Sequence, residues 1–207
     1  TLVDGTSIAG AAPVDLTQVD AYYFSLQKAL GSDGGLWVAI LSPAAVERAR
    51  RIEESADGRW VPQFLSLSAA IDNSRKDQTL NTPALATIVM AERQVRWLLE
   101  RGGMSAVSAH CAQASSLIYD WAEANLAARP FVENPAWRSP VTATIEIDEA
   151  VIASELAAHL RTRGIVDIGA YRGVGTNQLR IGTWPSVELE DVEALLACID
   201  YCLERVL

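Results

Sequence analysis

The chain of 207 residues has no run of basic residues and no long apolar stretch. Its 17 lysines and arginines are outnumbered by 26 aspartates and glutamates, which gives a formal net charge of −9. An acidic chain without basic clusters is a poor partner for nucleic acid or for an anionic membrane. The apolar stretches are too short to span a bilayer, and no signal peptide opens the chain. We therefore expect a soluble, cytoplasmic protein.

Cysteine is scarce as well. The three cysteines, Cys111, Cys198 and Cys202, are odd in number and lie within helical patterns, which argues against a disulfide framework. Cys198 and Cys202 share a helix face, but no histidine or further cysteine stands near them, so a zinc site is not expected. All three are predicted to be small core residues.

The most informative stretch runs from Val19 to Leu41, VDAYYFSLQKALGSDGGLWVAIL, and is centred on Lys28. The run from Ala21 to Phe24 predicts a buried strand, and a glycine-rich turn separates it from a second strand over residues 36–41. A lysine that is partly removed from water at such a strand end loses its proton more easily. Its free amine can then form a Schiff base with a carbonyl group. The alternative is that Lys28 only closes the strand and keeps its ammonium group in water.

A carboxylate stands in a comparable position near the start of the chain. Leu2 and Val3 predict the end of a strand at Asp4, and the carboxyl ends of strands are where α/β sheets bind ligands. The alternative is an ordinary turn, because Asp-Gly is a common turn pair. A pyridoxal phosphate site needs a lysine and an acid that keeps the pyridine nitrogen protonated. Two neighbouring parallel strands could supply Asp4 and Lys28, one each.

The middle of the chain predicts an irregular segment followed by a long helix. Residues 57–82 carry many polar turn formers, and an irregular segment of this length is unusual unless it is functional or contacts a partner. Pro83 then predicts the start of a helix, with Asn81 or Thr82 as its N-terminal cap. The helix is expected to end at Gly102.

The second half of the chain predicts a separate α+β domain. A helix is expected over residues 105–127, and it is followed by a strand–helix–strand–strand–helix order. The expected elements are a strand at 141–147, a helix at 149–161, strands at 164–168 and 178–182, and a helix at 188–206.

Four segments of the sequence resemble the phosphoserine aminotransferase family, in particular its actinobacterial form. They are DGTSIAG, YYFSLQKALGSDGGLWVAILS, GRWVPQFLSLSAAIDNSRKDQTLNTPA and GIVDIGAYRGVGTNQLRIGTWPSVELEDVEAL. This family belongs to the class V aminotransferases, which are fold-type-I pyridoxal-phosphate enzymes. The resemblance implies an α/β fold: the C-terminal part of a large cofactor-binding domain, residues 1–102, followed by a small α+β domain, residues 103–207.

The resemblance also implies roles around the cofactor. Lys28 would form the Schiff base with pyridoxal phosphate and move a proton between the substrate Cα and the cofactor C4′. Asp4 would pair with the pyridine nitrogen, and Gln27 would lie beside the ring. Asn81 and Thr82 match a motif that reaches across a homodimer interface to the phosphate of the neighbouring subunit's cofactor. Physical chemistry agrees, since an amide and a hydroxyl before a helix N-terminus make a good anion site.

Two arginines complete the site that the resemblance implies. A planar guanidinium group suits carboxylate and phosphate. Arg180 would bind the substrate α-carboxylate, and Arg172 would bind the phosphate or distal carboxylate. Tyr171 stands where many family members have histidine, and the spacing from Arg172 to Arg180 is longer than in the enterobacterial type. Which arginine binds which anion therefore stays open.

The implied reaction is transamination between O-phospho-L-serine and 2-oxoglutarate, which gives 3-phosphooxypyruvate and L-glutamate in L-serine biosynthesis. Two alternatives remain: a class V enzyme of the alanine/serine-glyoxylate type, and a non-catalytic protein that retains the fold. Thr1 opens the chain in what reads as a strand end, so we expect the C-terminal part of a longer chain. The aromatic residue that stacks on the cofactor ring in this family, and further cofactor and substrate ligands, are not in this sequence. We therefore expect the chain alone to be inactive.

Overall fold

The computed structural model describes residues 1–55, 58, 60–172, 175 and 177–205. The chain forms two compact units. The first comprises residues 1–9 and 14–96, and the second comprises residues 10–13 and 97–207. The second unit combines residues 10–13 with residues 97–207, so this division does not test the domain boundary expected at residue 102. That boundary stays a prediction.

The first unit is built on a sheet with the strand order β1-β2-β3. Strand β1 is Leu2–Asp4, β2 is Ala21–Ser25 and β3 is Trp37–Leu41. Strands β1 and β2 run parallel, with Asp4 opposite Tyr23, whereas β2 and β3 run antiparallel. The three strands expected from the apolar runs are therefore confirmed, and so is a parallel pair.

Three helices accompany this sheet in the described part of the chain: α1 at Pro43–Glu54, α2 at Leu67–Ser74 and α3 at Leu85–Glu100. Short 3₁₀ turns lie at Leu16–Gln18 and Gln63–Leu65. The described part of the segment at 57–82 is mostly irregular, as expected, but the expectation missed α2, which lies within it.

Helix α2 forms because a serine caps its N-terminus, which the polar composition of the segment does not indicate. The Ser66 side chain accepts a hydrogen bond from the N–H of Ala69 at 3.0 Å, which satisfies a donor of the first turn. The Ser66 hydroxyl in turn donates to the Glu53 carboxylate of α1 at 3.0 Å. The start of the helix is thus fixed by Glu53, 13 residues before Ser66. Local composition cannot predict such a contact.

The second unit contains an antiparallel sheet in the order β4-β5-β6. Its strands are β4 at Ala128–Pro130, β5 at Thr142–Ile147 and β6 at Gln178–Gly182, and its helices are α4 at Gly103–Ala124, α5 at Ala153–Arg161 and α6 at Leu189–Leu203. Alternate residues of β5 point into the core, as a strand with one buried face requires. The largest fully buried side chains include Ile118, Ile145, Leu179 and Ile199. Helices and sheet therefore share one apolar core.

Two expected elements of this unit differ from the structure. The strand expected at 164–168 is wrong, and the only pairing there in the described residues is an isolated bridge between Gly169 and Leu179. Asp167 adopts a positive φ of 60°, which interrupts an extended run that its apolar neighbours favour. The third strand is instead β4, which is short and ends in Pro130, a residue that tolerates only an edge position. Helix α6 ends at Leu203, and Val206 of the expected helix lies outside the described residues.

The three cysteines are free and lie in helices α4 and α6. Cys111 is fully buried, as expected, and burial raises the pKa of its thiol to about 11. Cys198 is exposed, which corrects its assignment to the core. No helix within the described ranges combines the length and the apolarity that a membrane crossing requires.

Candidate active site

The Asp4 carboxylate lies at the carboxyl end of β1 and is exposed. The backbone N–H of Thr6 donates a hydrogen bond to Asp4 Oδ1 at 2.9 Å. Hydrogen bonding by the Thr6 side chain, and then by its N–H, lowers the pKa of the Asp4 carboxyl below its usual value. Asp4 is therefore held as an anion at neutral pH.

The residue that follows Asp4 fixes where the chain turns. The Gly5 N–H donates to the carbonyl of Tyr23 at 2.7 Å, which continues the parallel ladder beyond β1. Gly5 also lies directly against the ring of Tyr22, which is only 4% exposed. A side chain at position 5 would meet that ring, so the close approach requires glycine.

Lys28 lies in a tight turn three residues after β2 ends. The N–H of Gly31 donates to the carbonyl of Lys28 at 2.8 Å, and the N–H of Ser32 donates to the carbonyl of Leu26 at 3.0 Å. Ala29 and Leu30 are buried, whereas Lys28 itself is half-buried. The backbone around Lys28 is thus fixed while its side chain reaches towards solvent.

Helix α3 supports this turn from one side. The Ser32 hydroxyl donates to the carbonyl of Thr87 at 2.7 Å. Gly31 adopts a positive φ of 59°, and its Cα faces the side-chain amide of Gln94. A helix therefore holds the glycine-rich turn that carries the lysine. This contact could not be predicted from the sequence, because its partners are 55 residues apart.

The parallel pairing of β1 and β2 places Asp4 and the turn with Lys28 at the same edge of one sheet. Gln27 is exposed at this edge, next to Lys28. A carboxylate held as an anion and an amine on a rigid turn form the pair of groups that a pyridoxal phosphate ring requires at its two ends. The residues present therefore fit that cofactor.

Asn81 and Thr82 are both exposed and lie before α3. The expectation that one of them caps a helix beginning at Pro83 is wrong. The first helical hydrogen bond runs from the N–H of Ile88 to the carbonyl of Ala84, so Ala84 occupies the cap position. A Thr-Pro pair permits a helix to start at proline but does not require it, since proline favours extended backbone before it. The two side chains remain free of that capping role.

Arg180 and Arg172 belong to the second unit. Arg180 is part of β6, opposite Thr144 of β5, and is half-buried. Its guanidinium carbon lies 4.8 Å from the centre of the Tyr171 ring. Arg172 is exposed. The contact with Tyr171 was not predicted from the sequence.

An open groove of about 490 Å³ lies beside Arg180. It is also lined by Arg161 and Asp167, whose side chains form an ion pair at 3.0 Å. The Arg161 charge is therefore neutralised within the protein. For Arg180, the described residues place no carboxylate oxygen within 4.0 Å, so its charge is available to an anion.

Comparison with known proteins places the chain among relatives of known class. A curated relative from Rhodococcus jostii, named phosphoserine aminotransferase, is 47% identical over 204 residues, which cover 99% of this chain and 54% of the relative. A relative of the same name from Corynebacterium glutamicum is 48% identical over 202 residues, which cover 98% of this chain and 53% of the relative. The chain thus spans about half the length of the curated relatives it matches.

A solved structure agrees on the fold. The crystal structure of a phosphoserine aminotransferase from Cytophaga hutchinsonii superimposes with a TM-score of 0.86 at 22% identity, over 97% of this chain and 54% of that chain. The α/β fold expected from the resemblance, that of fold-type-I aminotransferases, is confirmed. Residues 1–173 match the aminotransferase class-V family. The chain therefore belongs to the class-V aminotransferase family.

Proposed function

We propose that this chain carries the lysine-bearing part of a phosphoserine aminotransferase. The observation that carries the proposal is the parallel pairing of β1 and β2, which supports a shared position for Asp4 and Lys28 at one sheet edge. The relatives at 47% and 48% identity bear this enzyme's name. The proposed reaction exchanges amino and keto groups between O-phospho-L-serine and 2-oxoglutarate, as a cytoplasmic step of L-serine biosynthesis.

The proposed cofactor is pyridoxal phosphate. Asp4 would hold its pyridine nitrogen, Lys28 would hold its aldehyde carbon, and Gln27 would lie beside its ring. An ionised carboxylate is the group that a pyridinium N–H prefers, and the hydrogen bonds from Thr6 keep Asp4 ionised. When bound, this cofactor supplies an electron sink for the negative charge that develops on the substrate Cα.

Lys28 has a second proposed role as the base that takes the proton from the substrate Cα. A catalytic base must be held within hydrogen-bond reach of that proton. The turn around Lys28, closed by the bonds of Gly31 and Ser32, supports such a position because it fixes the Lys28 backbone. The side chain itself is half-buried and can reach a substrate.

The substrate anions are assigned to the two arginines of the second unit. Arg180 is proposed to bind the α-carboxylate, and Arg172 the phosphate or distal carboxylate. A phosphate cannot be held by an apolar pocket, because its charge must be paired. The absence of a carboxylate partner for Arg180 among the described residues supports its role as an anion ligand.

We further infer that the enzyme is a homodimer with its cofactor sites at the interface. Asn81 and Thr82 would bind the phosphate of the neighbouring subunit's cofactor. Their exposure, and their freedom from capping α3, support this role because both polar side chains are available to a ligand.

The first test asks where pyridoxal phosphate attaches. The chain contains two lysines, Lys28 and Lys76, so each serves as a control for the other. The chain is incubated with pyridoxal phosphate and reduced with borohydride, and the labelled peptide is identified by mass spectrometry. We expect the label on Lys28 in the parent and in Lys76→Ala, and its loss in Lys28→Ala. Equal labelling of both lysines would contradict the proposed site.

Asp4→Asn tests the other end of the same site. Removal of a charge-assisted hydrogen bond to the pyridine nitrogen is expected to weaken cofactor binding by roughly tenfold or more. Labelling of Lys28 is therefore expected to need a correspondingly higher cofactor concentration. Unchanged labelling would remove Asp4 from the site. Asp15→Asn provides the control, because Asp15 is also an exposed carboxylate hydrogen-bonded by a nearby threonine.

The second test concerns the substrate. In the complete enzyme, Arg172→Gln is expected to lower kcat/KM for O-phospho-L-serine and to leave that for L-alanine nearly unchanged, because only phosphoserine carries a second anion. An equal loss with both amino acids would argue against phosphate recognition by Arg172. A parent enzyme that prefers alanine would favour the alanine/serine-glyoxylate type of activity.

A further inference from the structure

Arg180 differs from three other arginines of the second unit in what surrounds its guanidinium group. Arg129, Arg138 and Arg161 each form an ion pair with a carboxylate at 3.0 Å or less. Among the described residues, the recorded side-chain partner of Arg180 is the aromatic ring of Tyr171, at 4.8 Å. A guanidinium group stacked on a ring keeps its N–H groups in the plane parallel to that ring, where they can still bind a carboxylate.

The backbone explains how Tyr171 reaches this place. Gly169 forms an isolated bridge with Leu179, and the N–H of Arg180 donates to the carbonyl of Ile168 at 2.9 Å. The segment before Tyr171 is therefore bonded to the start of β6. These bonds hold the segment that leads to Tyr171 beside β6, and the Tyr171 ring then lies 4.8 Å from the Arg180 guanidinium carbon.

Two further arginines lie over tyrosine rings in the described residues, Arg138 over Tyr119 at 5.0 Å and Arg205 over Tyr201, and the second of these serves as the comparison. The guanidinium of Arg205 lies 3.3 Å from the centre of the Tyr201 ring in α6. That guanidinium also donates to the Tyr201 carbonyl at 2.8 Å and lies 3.9 Å from the Glu204 carboxylate. Its donors are therefore engaged within the helix. Both stacks border a groove, of about 490 Å³ beside Arg180 and about 320 Å³ beside Arg205, so the two differ in whether a carbonyl and a carboxylate lie near the guanidinium group.

We propose that Tyr171 is a positioning residue for Arg180: its ring holds the guanidinium group so that the N–H edge faces a substrate carboxylate. The inference rests on the proposed function, in which Arg180 is the carboxylate ligand. Tyr171 acts through Arg180 and needs no contact with the substrate. The phenolic hydroxyl plays no part, because the attraction comes from the face of the ring.

The expected effect is modest and has a defined direction. A cation–π contact at an exposed site restricts the arginine by an amount that corresponds to about two- to fivefold in affinity. In the complete enzyme, Tyr171→Leu is expected to raise KM for 2-oxoglutarate about two- to fivefold and to change kcat less than about twofold. Tyr171→Phe keeps the ring and is expected to match the parent. Tyr201→Leu removes the comparison stack and is expected to leave KM unchanged.

A spectroscopic readout tests the stack without substrate. In the 207-residue chain with ¹⁵N-labelled arginine, the ring of Tyr171 shifts the Nε–H proton resonance of Arg180. We expect that shift in the parent and in Tyr171→Phe, and its loss in Tyr171→Leu. A loss in Tyr171→Phe would assign the role to the hydroxyl and overturn the proposal. So would an unchanged KM in Tyr171→Leu.

Arg180→Lys separates this inference from the proposed function. If Arg180 binds the carboxylate, loss of the planar fork raises KM for 2-oxoglutarate more than Tyr171→Leu does. If Arg180→Lys raises KM and Tyr171→Leu does not, the positioning role alone is wrong. If neither variant changes KM, Arg180 is not the carboxylate ligand and both proposals fail at this position.

Discussion

Replacing Gly5 by alanine places a methyl group where the Tyr22 ring already lies. A Cβ atom at position 5 would stand 2.5 Å from both Cε2 and Oη of Tyr22, closer than real Cβ contacts allow. The ring cannot swing aside freely, because Tyr22 is 4% exposed and its backbone pairs with Val3 on one side and Ile40 on the other. Overpacking of this kind costs about 1–3 kcal/mol of the free energy of unfolding.

A glycine elsewhere provides the matched control. Gly169 has ample space around the position of a Cβ atom and no positive φ. Gly169→Ala is therefore expected to leave the free energy of unfolding unchanged or to raise it by up to about 1 kcal/mol, because alanine restricts the unfolded chain. Urea unfolding followed by circular dichroism measures both variants against the parent. Only Gly5→Ala should therefore lower the free energy of unfolding.

A double-mutant cycle identifies the cause of the Gly5 effect. If the Tyr22 ring is the obstacle, the cost of Gly5→Ala falls in a Tyr22→Leu background, with a coupling energy of about 0.5–3 kcal/mol. The same displacement disturbs Asp4, so cofactor labelling of Lys28 should weaken in Gly5→Ala and not in Gly169→Ala. A Gly5→Ala variant as stable as the parent, or an equal cost in both backgrounds, would refute the reasoning.

Three other substitutions or treatments probe the described contacts. Ser32→Ala removes the hydrogen bond to the Thr87 carbonyl and should lower the free energy of unfolding by about 1 kcal/mol, measured in urea, with an unchanged value arguing against that bond. At pH 8, iodoacetamide should modify exposed Cys198 in the folded chain and Cys111 only after denaturation, because burial raises the pKa of the Cys111 thiol to about 11. Modification of Cys111 in the folded chain would contradict this. Arg138→Leu should lower the midpoint of urea unfolding and reduce the free energy of unfolding by about 1.5–3 kcal/mol, because the half-buried guanidinium donates to two backbone carbonyls.

The sequence allowed the lysine-bearing turn and its two strands to be predicted because their signals are local. An apolar run, a polar end and a group of glycines lie within about twenty consecutive residues, and each has a direct structural meaning. Asp4 could be placed for the same reason, since Asp-Gly ends a strand. The pairing of β1 with β2 is non-local. It was nevertheless predicted, because parallel strands would bring Asp4 and Lys28 to the same end of the sheet, and β1 and β2 are parallel in the structure.

The elements that escaped prediction depend on contacts between distant residues. Helix α2 is capped by Ser66, whose hydroxyl donates a hydrogen bond to Glu53 of α1. The segment at 164–168 has strand-forming residues, yet Asp167 takes a positive φ there. In each case the local preference was real and a tertiary contact or a turn overrode it. Tyr171 escaped for a similar reason, since its contact with Arg180 joins two segments that the sequence pattern did not pair.

The way the Lys28 turn is held explains how a glycine-rich segment can keep one backbone conformation. A loop rich in glycine is mobile by itself, because glycine loses more conformational freedom on folding than any other residue. Here the turn is closed by its own backbone bonds and is then tied to α3 through Ser32 and Thr87. The lysine side chain carries none of these restraints, so it can take part in chemistry without loosening the turn. Stability and reactivity thus depend on different atoms. Ser32→Ala should lower both the free energy of unfolding and the cofactor labelling of Lys28. Lys28→Ala should abolish labelling and leave the free energy of unfolding within about 0.5 kcal/mol of the parent.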